Sequence, residues 1–192
     1  FWNINSGSIP ISLKDVFRIL FQKEGNQTAY NIVWEIRLPR ILAAVILGGA
    51  LSVSGFLLQT FFGNPIAGPF VLGISSGAKL VVALTMIYLL GKSMVATSGV
   101  MIIAAFIGSL ISMGFVLLIS RKVKQMSMLV VSGIMIGYIC SAVTDFAVTF
   151  ADDSNIVNLH NWSLGSFSGT SWDNVSVMAV VVFVALFITF LM

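Results

Sequence analysis

Residues 41–62 read ILAAVILGGALSVSGFLLQTFF, an unbroken apolar run without a single charge. A bilayer core about 30 Å thick needs about 20 such residues wound as a helix, so this run is long enough to cross. Within it Gly48, Ser52 and Gly55 recur at helical spacing, which predicts a seam where a second backbone approaches closely. Immediately before it stands IRLPR, with Arg37 and Arg40 three residues apart at the mouth of the span. Pro39 between them is expected in the first helical turn, where its missing N–H costs nothing.

Composition supports the same reading over the whole chain. Of 192 residues 58% are hydrophobic and only 9% charged, with mean hydropathy +1.03, whereas a soluble domain carries about 25% charged residues. The class this defines is a polytopic, all-α membrane protein in a lipid bilayer. A pI near 9.3 reflects scarce acids rather than a basic arm, so a nucleic-acid partner is excluded. One cysteine, Cys140, has no intrachain partner, and one histidine, His160, cannot build a metal site from local ligands. The chain starts at Phe1 and ends within an apolar run, as expected of a piece of a larger domain.

Outward from the first span, residues 1–35 are polar and irregular, with one short amphipathic helix expected at the membrane interface around Ile11–Phe21. Residues 63–79 contain two prolines and four glycines, which argue against a continuous helix. Only 80–90 then reads as clean helix, too short to span, so a broken or half-length helix is expected, a recurrent feature of transport pathways. Further spans are expected at 93–119, 127–151 and 174–192. The RKVK cluster at 121–124 marks a cytoplasmic loop. Trp162 and Trp172 are expected at an interface. If the broken segment counts as a crossing, Arg37 and Arg40 fall outside, against the positive-inside rule; if it is re-entrant, both clusters are cytoplasmic. Charge counting alone leaves both arrangements open.

Three constellations bear on chemistry. GISSGAK at 73–79 has three residues between its glycines and Leu80 after the lysine, which does not make a phosphate loop; small residues permitting a tight turn and close helix contact are expected instead. Asp145 is an intramembrane acid, hence a candidate pathway residue, or else a carboxyl hydrogen-bonded to a neighbouring helix or neutralised by desolvation. With one histidine, no Ser/His/Asp arrangement can be argued, so no catalytic residues and no metal site are expected.

From Val33 to Ala78 the sequence resembles the FecCD family of bacterial ABC importer permeases, which includes vitamin B12, heme and iron-siderophore permeases. The resemblance is carried, in order, by RLPR, the G-A-L-x-x-S-G-x-x-x-Q pattern from Gly49 to Gln59, NPIAGP at 64–69 and LGISSGA at 72–78. LVVSGIMIGYICSA at 129–142 and WSLGSFSGTSW at 162–172 extend it over the chain. It implies part of a type II importer fold of the vitamin B12 permease kind, multi-pass in the bacterial plasma membrane. The partners it implies are cytoplasmic ABC ATPase subunits that bind the ATP, an extracytoplasmic substrate-binding protein, and a second permease subunit, identical or homologous. It also implies that residues 1–35 are extracytoplasmic and that Arg37 and Arg40 dock acidic residues of the binding protein, with snorkelling to headgroups as the plainer role. Asn64 and Ile66, with Met126 and Ser127, resemble elements of the cytoplasmic gate, and the span after Ser127 resembles the one lining the central pathway. The expected cargo is an iron-siderophore complex, or heme or vitamin B12. The competing class is an ion-gradient-driven secondary transporter using the broken helix and Asp145.

Overall fold

The computed structural model describes residues 11–22, 26–91, 97–123 and 125–191, and all regular structure among them is helical. The expectations for residues 1–10, Lys23, 93–96 and Lys124 lie outside the described residues. Eight α-helices are assigned here: α1 Leu13–Gln22, α2 Gln27–Asn31, α3 Leu38–Phe62, α4 Ile74–Gly91, α5 Ser98–Ser120, α6 Met126–Thr149, α7 Asp153–Leu164 and α8 Trp172–Leu191. A π-helical segment, Ile32–Arg37, joins α2 to α3. Four stretches are long and apolar enough to cross a membrane: Gln27–Phe62, α5, α6 and α8.

The helix entering at IRLPR begins ten residues earlier than the sequence indicates. Asn26 caps it, its side chain accepting from the Thr28 N–H at 3.0 Å. Pro39 is therefore inside a helix rather than in its first turn. It has no N–H for the carbonyl of Glu35, and its ring would clash there in a regular α-helix. The π register just before it removes the conflict: the Leu38 N–H donates to the Val33 carbonyl, five residues back.

The helices group into two compact units, one comprising residues up to Ser52 together with Ser166 onward, the other Val53–Gly165. In the first, the apolar side of α1 is buried on the chain from Ala29 to Ile41. Val16, Ile19 and Val33 are almost inaccessible there, while Phe17 and Phe21 stay exposed. The amphipathic helix expected in this region thus exists, with its apolar face on protein.

In the second unit α4 packs against both α5 and α6. The irregular part after the first span is shorter than expected, residues 63–73, because α4 starts at Ile74 rather than at Leu80. Gly63 (φ 55°) ends α3, and Gly73 (φ 73°) turns the chain into α4. Helix contact is backbone to backbone. A Cβ on Gly77 would strike Ser112 Oγ and the Gly108 carbonyl, and one on Gly108 would strike the Gly77 carbonyl. A Cβ on Gly73 would lie 2.7 Å from the Gly133 carbonyl, and one on Gly133 2.8 Å from Leu72 Cα. Small residues thus set these crossings, as expected where lipid removes the hydrophobic drive for association. By contrast no atom lies within 4 Å of a Cβ built on Gly48 or Gly55, so the seam expected along α3 is open among the described residues.

Two hydrophobic clusters close the ends of this unit. Phe62, Ala67, Leu72, Val116, Leu129 and Val130 form one. Val82, Ala83, Met86, Met101, Ala104 and Leu159 form the other, with Trp162 against it. The second cluster explains α7, a helix absent from the sequence expectations: Leu159 and Trp162 give it an apolar side too short to register as a pattern.

Candidate functional site

Arg37 is in the last turn of the π segment and is buried, 8% exposed, and its own side chain is engaged. One turn on, Arg40 is only partly accessible. Its Nη2 donates to the Ser168 carbonyl at 2.7 Å, and its Nε is buried with no acceptor among the described residues. The same loop is fixed a second time, since Trp172 Nε1 donates to the Trp34 carbonyl at 2.9 Å. The two indole rings lie 6.0 Å apart, and the Tyr30 ring lies 6.2 Å from Trp34, tilted by 30°. Trp172 therefore spends its N–H on the protein rather than at a headgroup. Beside Arg40 an open depression of about 480 Å³ is lined by Ile41, Ala44, Val45 and Phe167. The result is one cationic group with an unfilled donor, next to an apolar floor. Guanidinium forks in such surroundings bind carboxylates side-on.

The second group of sequence-selected residues is at the first hydrophobic cluster. Asn64 folds the 63–67 turn: its Oδ1 accepts from the Ile66 N–H at 2.9 Å, and its carbonyl from the Ala67 N–H at 3.1 Å. Ala67 is buried, while Ile66 projects, 66% exposed. Met126, 45% exposed, and Ser127 open α6, and Leu129 and Val130 join Ala67 in the cluster. The structure thus brings 64–66 and 126–127 to one end of one unit, each with an exposed apolar side chain on a rigid base. Asp145 is near the opposite end of α6, one turn before Thr149. It is exposed, and its carboxylate makes no hydrogen bond or ion pair among the described residues. It does not meet the other selected residues. No group of three or more His, Cys, Asp or Glu able to hold a metal occurs among the described residues.

Helical crossings made by glycine, a non-helical turn ahead of a short apolar helix and four membrane-length helices define a polytopic helical membrane protein. The FecCD transport family model matches residues 1–192, and the chain belongs to that family. It is 38% identical over 146 residues to the vitamin B12 import system permease protein BtuC of Klebsiella pneumoniae subsp. pneumoniae, covering 76% of this chain and 43% of that one. With the hemin transport system permease protein HmuU of Yersinia pestis it shares 34% identity over 174 residues, 90% of this chain and 51% of the other. The chain spans about half the length of the curated relatives it matches. A solved metal-chelate type ABC transporter in an inward-facing conformation shares the fold, with TM-score 0.72 over 90% of this chain and 51% of the other at 22% identity. The expected all-helical permease fold with a broken helix is therefore observed, and the chain is a multi-pass protein of the bacterial inner membrane.

Proposed function

We propose that the chain is part of the permease subunit of an ATP-driven bacterial importer, forming a path for an iron-siderophore complex or a related chelate such as heme or vitamin B12. Membership of the family over residues 1–192 carries this reading. On it the chain is a transport subunit, not an enzyme. ATP is bound by cytoplasmic ATPase subunits, and an extracytoplasmic binding protein delivers the cargo to a dimer of permease subunits. Arg40, with Arg37 in the turn beneath it, receives a carboxylate of the binding protein. The partial exposure of Arg40 and the adjoining depression support that role. Ile66 and Met126 are the side chains of the cytoplasmic gate, with Asn64 holding the turn and Ser127 starting the helix. Alternating access then amounts to two arrangements of these constrictions, biased by ATP in the partner subunits.

The test is capture of the cognate binding protein by the full-length permease complex. Arg37→Glu with Arg40→Glu is expected to weaken capture at least about thirtyfold, since breaking a buried charge pair costs about 2–5 kcal/mol, while the ATPase subunit still co-purifies. Unchanged capture overturns the docking role. A full-length permease that never co-purifies with an ATPase subunit overturns the importer reading, leaving the exposed Asp145 to favour a gradient-driven carrier.

A further inference from the structure

The helices α5 and α6 differ on their outward faces. α5 buries Met101, Ala104, Gly108, Ser112 and Val116 and turns outward Ile103, Phe106, Ile107 and Leu110, all well exposed. Its Ser109 hydroxyl is satisfied by the Ala105 carbonyl. That face suits lipid. α6 buries Leu129, Val130, Gly133, Gly137 and Thr144, and its outward face, apolar at Val131, Met135 and Phe146, also carries Tyr138, 70% exposed, with Ser141 and Asp145 at the next steps of three and four, hence on the same side of the helix.

The hydroxyls of Ser132, Thr144 and Thr149 are returned to carbonyls of their own helix. The side-chain polar atoms of Tyr138, Ser141 and Asp145 find no such acceptor or donor among the described residues. Tyr138 is at mid-helix, out of reach of headgroup water from either end. Polar atoms in that position are stable when the face is wet, holds a polar ligand or meets polar groups of a further helix, and not against lipid. From residue 125 onward the sequence holds four aspartates and one histidine but no lysine or arginine. Asp145 makes no ion pair among the described residues, Lys79 of the adjoining α4 included, and a carboxylate lining a path favours groups of the opposite sign.

We propose that Tyr138, Ser141 and Asp145 form a cation-selecting station on α6, taking positively charged or hydrogen-bond-donating groups of the passing chelate and disfavouring anionic ones. It rests on the permease reading by naming the charge class of the cargo. Tyr138 and Ser141 accept or donate hydrogen bonds along the face, and Asp145 sets its sign.

The experiment uses the full-length permease complex in membrane vesicles, on a background of Cys140→Ser, which removes the one cysteine of residues 1–192, and of serine at any cysteine elsewhere in the complex. Single cysteines at Ser141, and at Ile103 and Phe106 of α5, are labelled with a cationic ethylammonium and an anionic ethylsulfonate thiosulfonate, each rate normalised to that of a free thiol. Ser141→Cys is expected to react, with the cationic reagent favoured by about tenfold in the field of Asp145. That preference is expected to fall to about one on adding Asp145→Asn, and the two α5 positions to stay silent. A silent Ser141→Cys would show the face covered by lipid or protein and overturn the station; so would a preference that Asp145→Asn leaves unchanged. Labelling needs no transport, so a positive result beside absent ATP-driven uptake would sink the permease reading and leave the station standing.

Discussion

In the unit from Val53 to Gly165 the helices meet backbone on backbone, Gly77 over Gly108 and Gly73 over Gly133. In the other unit the 166–172 loop is joined to the 34–40 stretch by side-chain hydrogen bonds, Arg40 to Ser168 and Trp172 to Trp34, with the two indoles in contact. The difference follows from what each join must do. Close glycine crossings leave no room for a side chain and fix helices in one register, which suits the support of a path. A guanidinium on a carbonyl is exchangeable, because an arriving carboxylate is a better acceptor than a neutral one. The first kind of join holds a shape, and on the docking proposal the second hands over to a partner.

Substitutions test that contrast, and the largest effect is expected at the glycine crossings. Gly108→Leu should leave little folded protein, seen as loss of the monodisperse peak in detergent, because its Cβ already meets the Gly77 carbonyl. Gly77→Ala should cost at least about 1–3 kcal/mol through overpacking, read as a lowered unfolding midpoint. A wild-type midpoint in either would show the helices free to separate, and the first half of the comparison would fail. Next in size, Trp172→Phe keeps an aromatic ring, smaller than the indole, and loses the bond to the Trp34 carbonyl. About 0.5–1.5 kcal/mol is expected, with faster proteolysis in the 165–171 loop as the local readout. At the small end, Gly114→Ala, with no atom within 4 Å of its new Cβ, should be neutral or stabilising by up to about 1 kcal/mol through helix propensity. A cost there as large as at Gly77 would mean that position, not contact, sets the penalty.

How much was legible in the sequence depended on what each feature writes into it. The long apolar runs, nearly free of charge, point to α3, α5, α6 and α8, because burial in lipid demands them. The start of α4 was misplaced by six residues, since glycines that read as helix breakers at 73 and 77 are partly crossing contacts. Gly77 is inside the helix. The stretch from Gln27 to Arg37 looked irregular because its polar residues obscure a helix whose inner side, Val33 and Trp34, is covered by α1. Arg40 was visible as a cation at a span's mouth, yet its acceptor was not, because a backbone carbonyl 128 residues away leaves no residue signature. Asp145 stood out by its charge alone. The hydrogen bonding that sets Tyr138 and Ser141 apart from Ser132 and Thr144 emerged only from the folded helix.

The central claim is that this chain belongs to a path driven by ATP. It is tested most directly by uptake of a ferric chelate into proteoliposomes holding the full-length permease with its ATPase subunits, in the presence of the binding protein. With ATP inside and all ion gradients collapsed by ionophores, the account predicts accumulation that requires both ATP hydrolysis and the binding protein. Accumulation that persists without ATP and disappears with a protonophore would contradict it.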